Sequence, residues 1–193
     1  IQKLMNTDYI LIVLGEPYSV FSEIIGKYFR NKKKFKKKII IIGNQNLLTK
    51  QLKKLNCNFP INSISNYKDA EKKKINLINI NFKHKKIFDK ISNKSNLYIR
   101  NCFKKSLEII ENKEDKFVLI NGPVSKKTFL KKQYSGITEY LSQKTHSTNE
   151  VMLIYNNKFS VSPITTHIPI KKVVRNITKK KIQNKVIRLN NFY

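Results

Sequence analysis

Apolar residues fall into short continuous blocks separated by polar, lysine-rich stretches. Tyr9-Ile-Leu-Ile-Val-Leu14 stops abruptly at Gly15-Glu16-Pro17, the pattern of a strand buried on both faces that ends in a turn. The spacing of Phe21, Ile24, Ile25 and Tyr28 predicts a helix from about Val20 to Arg30 with those four side chains on one stripe. Ile39 to Ile42 reads as a second buried strand closed by Gly43. Asn44 then suits the N-cap of a helix whose apolar positions are Leu47, Leu48, Leu52 and Leu55. This β-α-β-α alternation predicts an α/β fold with a mostly parallel sheet flanked by helices.

Residues 56–94 are rich in Asn and Lys and offer one short strand candidate near Ile75 to Ile80. Helical spacing returns from about Leu97 to Glu111, through Cys102, Phe103, Leu107 and Ile110. Phe117-Val-Leu-Ile120 follows as a third buried strand, ended by Asn121-Gly122-Pro123. Val151 to Tyr155 and Phe159 to Ile164 flank Asn156-Asn157, which reads as a hairpin turn. A last helix is expected after Thr178, with Ile182, Val186 and Leu189 on one side. Strands that turn antiparallel late in the chain suggest a first α/β domain over 1–125 and the start of a second over 126–193.

Charge complicates this picture. Forty basic residues against 12 acidic ones give a net charge of +28. Clustered on one face, such residues would suit a nucleic-acid-binding α/β domain, because Lys and Arg displace counterions from a phosphate backbone. Yet 36 of the 40 are Lys and four are Arg, and Asn and Ile are also abundant. These residues share A/T-rich codons, whereas a dedicated nucleic-acid reader favours the planar fork of Arg. Codon bias therefore accounts for the charge without a polyanionic partner. Cys57 and Cys102 stand far apart without CxxC spacing and read as reduced thiols of a cytoplasmic protein. No apolar run approaches the about 20 residues that span a bilayer, and no signal-peptide pattern is seen. The opening residue, Ile1 rather than Met, reads as a trimmed start.

In open α/β sheets ligands sit beyond the carboxyl ends of the strands. Three segments are placed there by the pattern: Gly15-Glu16-Pro17, Asn121 to Lys126, and Thr165-Thr166-His167-Ile168-Pro169. Of three histidines, His84 and His146 lie in polar surroundings and are expected to be exposed. His167 follows an apolar strand, where an imidazole can ligate a divalent metal or move a proton. No GxGxxG, GxxxxGK[ST] or GxSxG is present, so the sequence shows no Rossmann fingerprint, P-loop or nucleophile elbow.

Taken in order, these segments resemble one family. Phe117-Val-Leu-Ile-Asn-Gly-Pro-Val-Ser-Lys126 is similar to the "ALITGPVHK" region of the 4-hydroxythreonine-4-phosphate dehydrogenases, and Gly136-Ile-Thr-Glu-Tyr140 to their "GHTEF". Val151-Met-Leu-Ile154 and Val161 to Ile170 resemble "VMML…ALATTHLPL", and Ile10 to Pro17 fits the opening strand and its "GEP" turn. The resemblance implies an isocitrate/isopropylmalate dehydrogenase-like fold, with the second α/β domain truncated. It implies NAD-dependent oxidation and decarboxylation of 4-phosphooxy-L-threonine in pyridoxal phosphate biosynthesis. A divalent metal (Zn, Mg or Co) would polarise the developing carbonyl. His167 aligns with a metal-binding histidine and Thr138 with a substrate-binding threonine. Ile137 stands where the family has a substrate-binding His, and Ile offers no hydrogen bond. The resemblance further implies a cytoplasmic homodimer with its site at the interface. A chain without the family's later histidines is expected to be inactive alone, as a fragment or a non-catalytic paralogue.

Overall fold

The computed structural model describes residues 6–31, 36–112, 114–131, 133–147, 150–156 and 158–193. They form two compact units, Asn6–Gln133 and residues 134–193.

The first unit is built on five parallel strands: β1 (Tyr9–Val13), β2 (Lys38–Gly43), β3 (Ile61–Ser63), β4 (Ile75–Asn79) and β5 (Phe117–Asn121). Their order across the sheet is β3-β4-β2-β1-β5. Position in that order explains composition. Central β2 carries Ile40, Ile41 and Ile42 at zero exposure, so both faces must be apolar. β5 is an edge strand, and Ile120 stays 43% exposed rather than buried as its apolar run predicts. The short β3 escaped the sequence pattern because Ile61-Asn62-Ser63 is too brief and too polar to declare itself.

Three helices cover the sheet: α1 (Phe21–Asn31), α2 (Gln45–Lys54) and α3 (Asn96–Ile110). Asn44 caps α2 as expected, its side chain accepting from the Leu47 N–H at 2.9 Å. α1 differs from its predicted stripe. Ser22, Ile25, Gly26 and Phe29 face inward, while Ile24 and Tyr28 are 52% and 46% exposed. Gly26 sets this rotation, because a Cβ there would lie 2.9 Å from Cys57 Sγ and 3.1 Å from Leu52. The missing side chain lets α1 approach α2 closely. Alternate strand residues then divide the core. Ile12, Ile39, Ile41, Ile75 and Leu77 pack with Ile25, Phe29, Leu48 and Leu52 of α1 and α2. The intervening Leu11, Val13, Ile40 and Ile42 point to the other face, and α3 packs on β1 and β2. On α3 the inward residues are Tyr98, Ile99, Cys102, Phe103, Ser106 and Ile109; the predicted Leu107 and Ile110 are half-buried. Ser106 can sit in this core because its hydroxyl donates to the Phe103 carbonyl at 2.8 Å.

The second unit contains α4 (Ile137–Lys144), a hairpin of β6 (Ile154–Tyr155) and β7 (Ser160–Val161), α5 (Val173–Asn176) and α6 (Lys179–Phe192). The hairpin is where sequence placed it, although shorter, and its turn residue Asn157 lies outside the described residues. Thr178 caps α6 by accepting from the Lys181 N–H. Apolar side chains here are largely uncovered: Phe159 is 70%, Val174 82% and Ile170 89% exposed, and Ile182, Val186 and Ile187 on α6 are all exposed. Among the described residues no helix is long and apolar enough to cross a membrane.

Candidate functional site

The carboxyl ends of β1, β2 and β5 meet as a hydrogen-bonded junction. Gly15 takes φ +68°, which turns the chain out of β1 and lets the Glu16 N–H donate to the Pro123 carbonyl at 2.8 Å. Opposite it, the Gly122 N–H donates to the Val13 carbonyl at 2.7 Å. The first two predicted segments, Gly15-Glu16-Pro17 and Asn121-Gly122-Pro123, are therefore in direct contact.

Glu16 is the charged centre of this junction. Its carboxylate is 2% exposed and accepts from the Ser95 hydroxyl at 2.9 and 3.0 Å. Ser95 immediately precedes α3, so the negative charge sits at a helix N-terminus, where the dipole favours it. Burial raises the Glu16 carboxyl above the ordinary carboxylate range, with the Ser95 hydroxyl and the Tyr18 backbone N–H opposing that shift. Tyr98, one turn into α3, accepts from the Asn44 N–H at 2.9 Å. Burial pushes the Tyr98 phenol well above its usual value and the neighbouring Cys102 thiol up to about 12. Cys102 is thus an inert thiol rather than a nucleophile. Gln51 completes the junction, its amide donating to the Pro17 carbonyl at 2.8 Å and the Ile87 carbonyl at 3.0 Å. Among the described residues a small pocket remains between Glu16, Ser19, Asn44, Gln51 and Tyr98. These polar groups mostly satisfy one another, so the junction holds the loops rather than presenting free groups to a ligand.

A raised carboxyl value has a definite sign for stability. The folded chain holds the Glu16 proton more tightly than the unfolded chain does. This group therefore favours folding as pH falls through its raised folded-state value, and that contribution is lost as pH rises. Glu16→Gln should remove the component. Its urea midpoint relative to wild type should be most favourable at neutral pH and decline as pH falls toward the ordinary carboxylate range. A difference independent of pH would contradict the assignment.

In the second unit the structure brings two further predicted segments together. Gly136 is the N-cap of α4, Ile137 and Thr138 form its first residues, and Ile137 is half-buried while Thr138 is exposed. The point where a Gly136 Cβ would stand is 3.0 Å from Glu139 Oε2 and 3.9 Å from His167 Nε2. His167 itself departs from expectation. It is exposed, but the strand before it, β7, is two residues long and ends at Val161, so the histidine occupies a loop at φ 57°. His84, expected to be exposed, is half-buried with its ring stacked at 6.3 Å on Phe82. His146 is exposed. Among the described residues no three His, Cys, Asp or Glu side chains group as a complete metal site. Glu139 was passed over by sequence reasoning, although it stands inside the Gly136 to Tyr140 segment, three residues after the N-cap.

Lysines are spread over the described elements, with Lys27 on α1, Lys50, Lys53 and Lys54 on α2, Lys104 on α3 and Lys179, Lys180 and Lys181 on α6, all exposed.

A five-stranded parallel sheet with helices on both faces and its loops joined at the carboxyl ends defines an α/β protein. Residues 35–193 match the family of the pyridoxal phosphate biosynthetic protein PdxA, and the chain belongs to that family. It is 32% identical over 184 residues to the 4-hydroxythreonine-4-phosphate dehydrogenase of Sulfurihydrogenibium sp., covering 93% of this chain and 56% of that protein. The enzyme of that name from Aquifex aeolicus is 26% identical over 180 residues, covering 91% and 54%. The solved 4-hydroxythreonine-4-phosphate dehydrogenase of Klebsiella pneumoniae superposes with a TM-score of 0.82 at 18% identity, over 97% of this chain and 58% of that one. The chain thus spans just over half the length of the relatives it matches.

Proposed function

We propose that this chain provides the sheet and first metal-binding elements of a 4-hydroxythreonine-4-phosphate dehydrogenase, acting with NAD on 4-phosphooxy-L-threonine in vitamin B6 synthesis. The observation that carries the reading is the convergence of Gly136 and His167, thirty-one residues apart, in a chain of the PdxA family. His167 brings one imidazole donor and Glu139 one carboxylate oxygen, Oε2, that is buried without a hydrogen-bond partner, so further ligands would have to complete a metal site. His167 would hold the metal, which when bound would act as a Lewis acid on the substrate's alcohol and developing carbonyl. Thr138 offers an exposed hydroxyl on the first turn of α4, able to donate to or accept from a polar substrate group. Ile137 beside it can do neither, so this chain would orient substrate with one hydrogen bond fewer than its relatives. The uncovered apolar side chains of residues 134–193 support a site completed against a second copy, as a homodimer.

The test joins residues 1–193 in register to the remaining part of the Sulfurihydrogenibium enzyme and follows NADH formation from 4-phosphooxy-L-threonine with added divalent metal. Turnover is expected, and His167→Ala should reduce kcat/KM by more than about 100-fold, beyond the loss typical of a supporting residue. A soluble, folded dimer that forms no NADH would overturn the reading.

A further inference from the structure

A cavity of about 350 Å³ opens on the flank of α2, where the chain leaves that helix for the edge strand β3. Pockets that take small molecules span about 300–1,000 Å³, so the space is of ligand size. Local chain geometry creates it. Asn56, at φ 53°, ends α2 in a left-handed residue, and the Cys57 N–H donates back to the Leu52 carbonyl at 2.9 Å. The two side chains that could fill the space are committed to α1 instead. A Cβ on Gly26 would stand 2.9 Å from Cys57 Sγ, which places that sulfur against α1. Phe59 turns its ring edge-to-face onto Phe29 at a centroid distance of 5.7 Å. Space is thus left between the α2 flank and Ile61.

Its lining is sorted by polarity. Leu52 and Cys57 are buried, and Phe59 and Ile61 beside them are half-buried. Thr49, Lys53 and Asn58 line it as exposed residues, with Thr49 and Lys53 one turn apart on α2. All three can donate hydrogen bonds, and among the described residues none of these side chains has a hydrogen-bond or ion-pair partner. Nor does the helix end occupy the Lys53 ammonium. The carbonyls of Gln51, Leu52 and Lys53 already accept from the N–H groups of Leu55, Cys57 and Asn56. No lining residue is acidic, and the sequence holds no Asp or Glu from Ile24 to Lys68. A wholly apolar guest would leave the three donors to water. An apolar body ending in an anion answers both parts of the lining.

We propose that this cavity binds a small amphipathic carboxylate, its apolar body against Leu52, Cys57 and Ile61 and its carboxylate facing the Lys53 ammonium. The experiment titrates the ¹⁵N-labelled 193-residue chain with octanoate and, separately, with 1-octanol, following backbone amide shifts. Octanoate is expected to shift amides of residues 49–61 and to leave those of β1 and β5 in place. 1-Octanol, as long but uncharged, should bind there more weakly. Lys53→Glu should weaken octanoate by about fivefold while leaving 1-octanol unchanged, since only the charged contact is reversed. Thr49→Trp fills the space from an exposed position and should abolish both, with circular dichroism verifying the fold of each variant. Octanoate shifts confined to the exposed apolar residues of 134–193, or no shifts at all, would overturn the site. Equal octanoate affinity in wild type and Lys53→Glu would overturn the carboxylate as its ligand.

Discussion

Phe103→Ala is expected to lower the folding stability of this chain by about 3–5 kcal/mol, seen as a large fall in urea midpoint at unchanged slope. Phe103 is fully buried, and its ring stacks on Phe129 at a centroid distance of 6.1 Å. It lies on the buried side of α3, which packs on β1 and β2, and Ile99, Cys102 and Leu130 are buried to the same extent, each at 0% or 1% exposure. Truncation removes the transfer term and leaves a void that close-packed neighbours fill incompletely. Since domains of this size are stable by about 5–15 kcal/mol, a loss of that order takes a large share of the total. The damage should also extend to the sheet's carboxyl end. α3 positions Ser95 against Glu16 and Tyr98 against Asn44, so a loosened helix weakens both contacts. A loss below about 1 kcal/mol would show that α3 is held chiefly by its polar N-terminus rather than by its apolar face.

Much of the first unit was legible because strands buried on both faces leave continuous apolar runs. β1 and β2 carry such runs, and the Asn44 cap has a specific chemistry. What misled was anything decided by neighbours rather than by local period. The stripe of α1 turns on the close approach of Gly26 to Cys57, and β5 reads as buried although its place at the sheet edge leaves it half-open. Polar burial was invisible for the same reason. Glu16, Gln51 and Asn76 are each 3% exposed or less, because partners distant in sequence satisfy them. Asn76, for example, donates to the Ile39 carbonyl across the sheet at 2.9 Å.

The candidate site was legible to a different extent. Sequence singled out Gly136 to Tyr140 and His167 as separate segments, and nothing in spacing relates a helix start to a loop some thirty residues later. Folding brings both to one point. It also shows a feature of Glu139 that its place in the segment does not suggest: its oxygen is buried and has no hydrogen-bond partner. In the first unit the same logic runs the other way. Two Gly-Pro turns at strand ends look like ligand loops, but their polar groups are consumed by each other and by α3.

The glycines of these two places should respond in opposite ways to one identical substitution. At Gly122, an added Cβ would lie 2.3 Å from the Leu14 carbonyl oxygen, 2.9 Å from its carbon and 2.6 Å from Phe21 Cδ1. Two of those atoms belong to backbone held in the sheet, so no rotamer change relieves the collision. β1 and β5 must separate, breaking the bonds from the Gly122 N–H to Val13 and from the Glu16 N–H to Pro123. Overpacking of a side chain costs about 1–3 kcal/mol, and a backbone collision with loss of two buried hydrogen bonds should exceed about 3. Gly122→Ala is accordingly expected to unfold the chain at a much lower urea concentration than wild type. At Gly136 the nearest atom is the end of the flexible Glu139 side chain, and the backbone is already extended. Gly136→Ala should therefore leave the folding stability within about 0.5 kcal/mol of wild type, the range of an ordinary surface change. A Gly122→Ala loss as small as that expected at Gly136 would mean that Gly122 is not required by the meeting of β1 and β5, and that the junction can spread without cost.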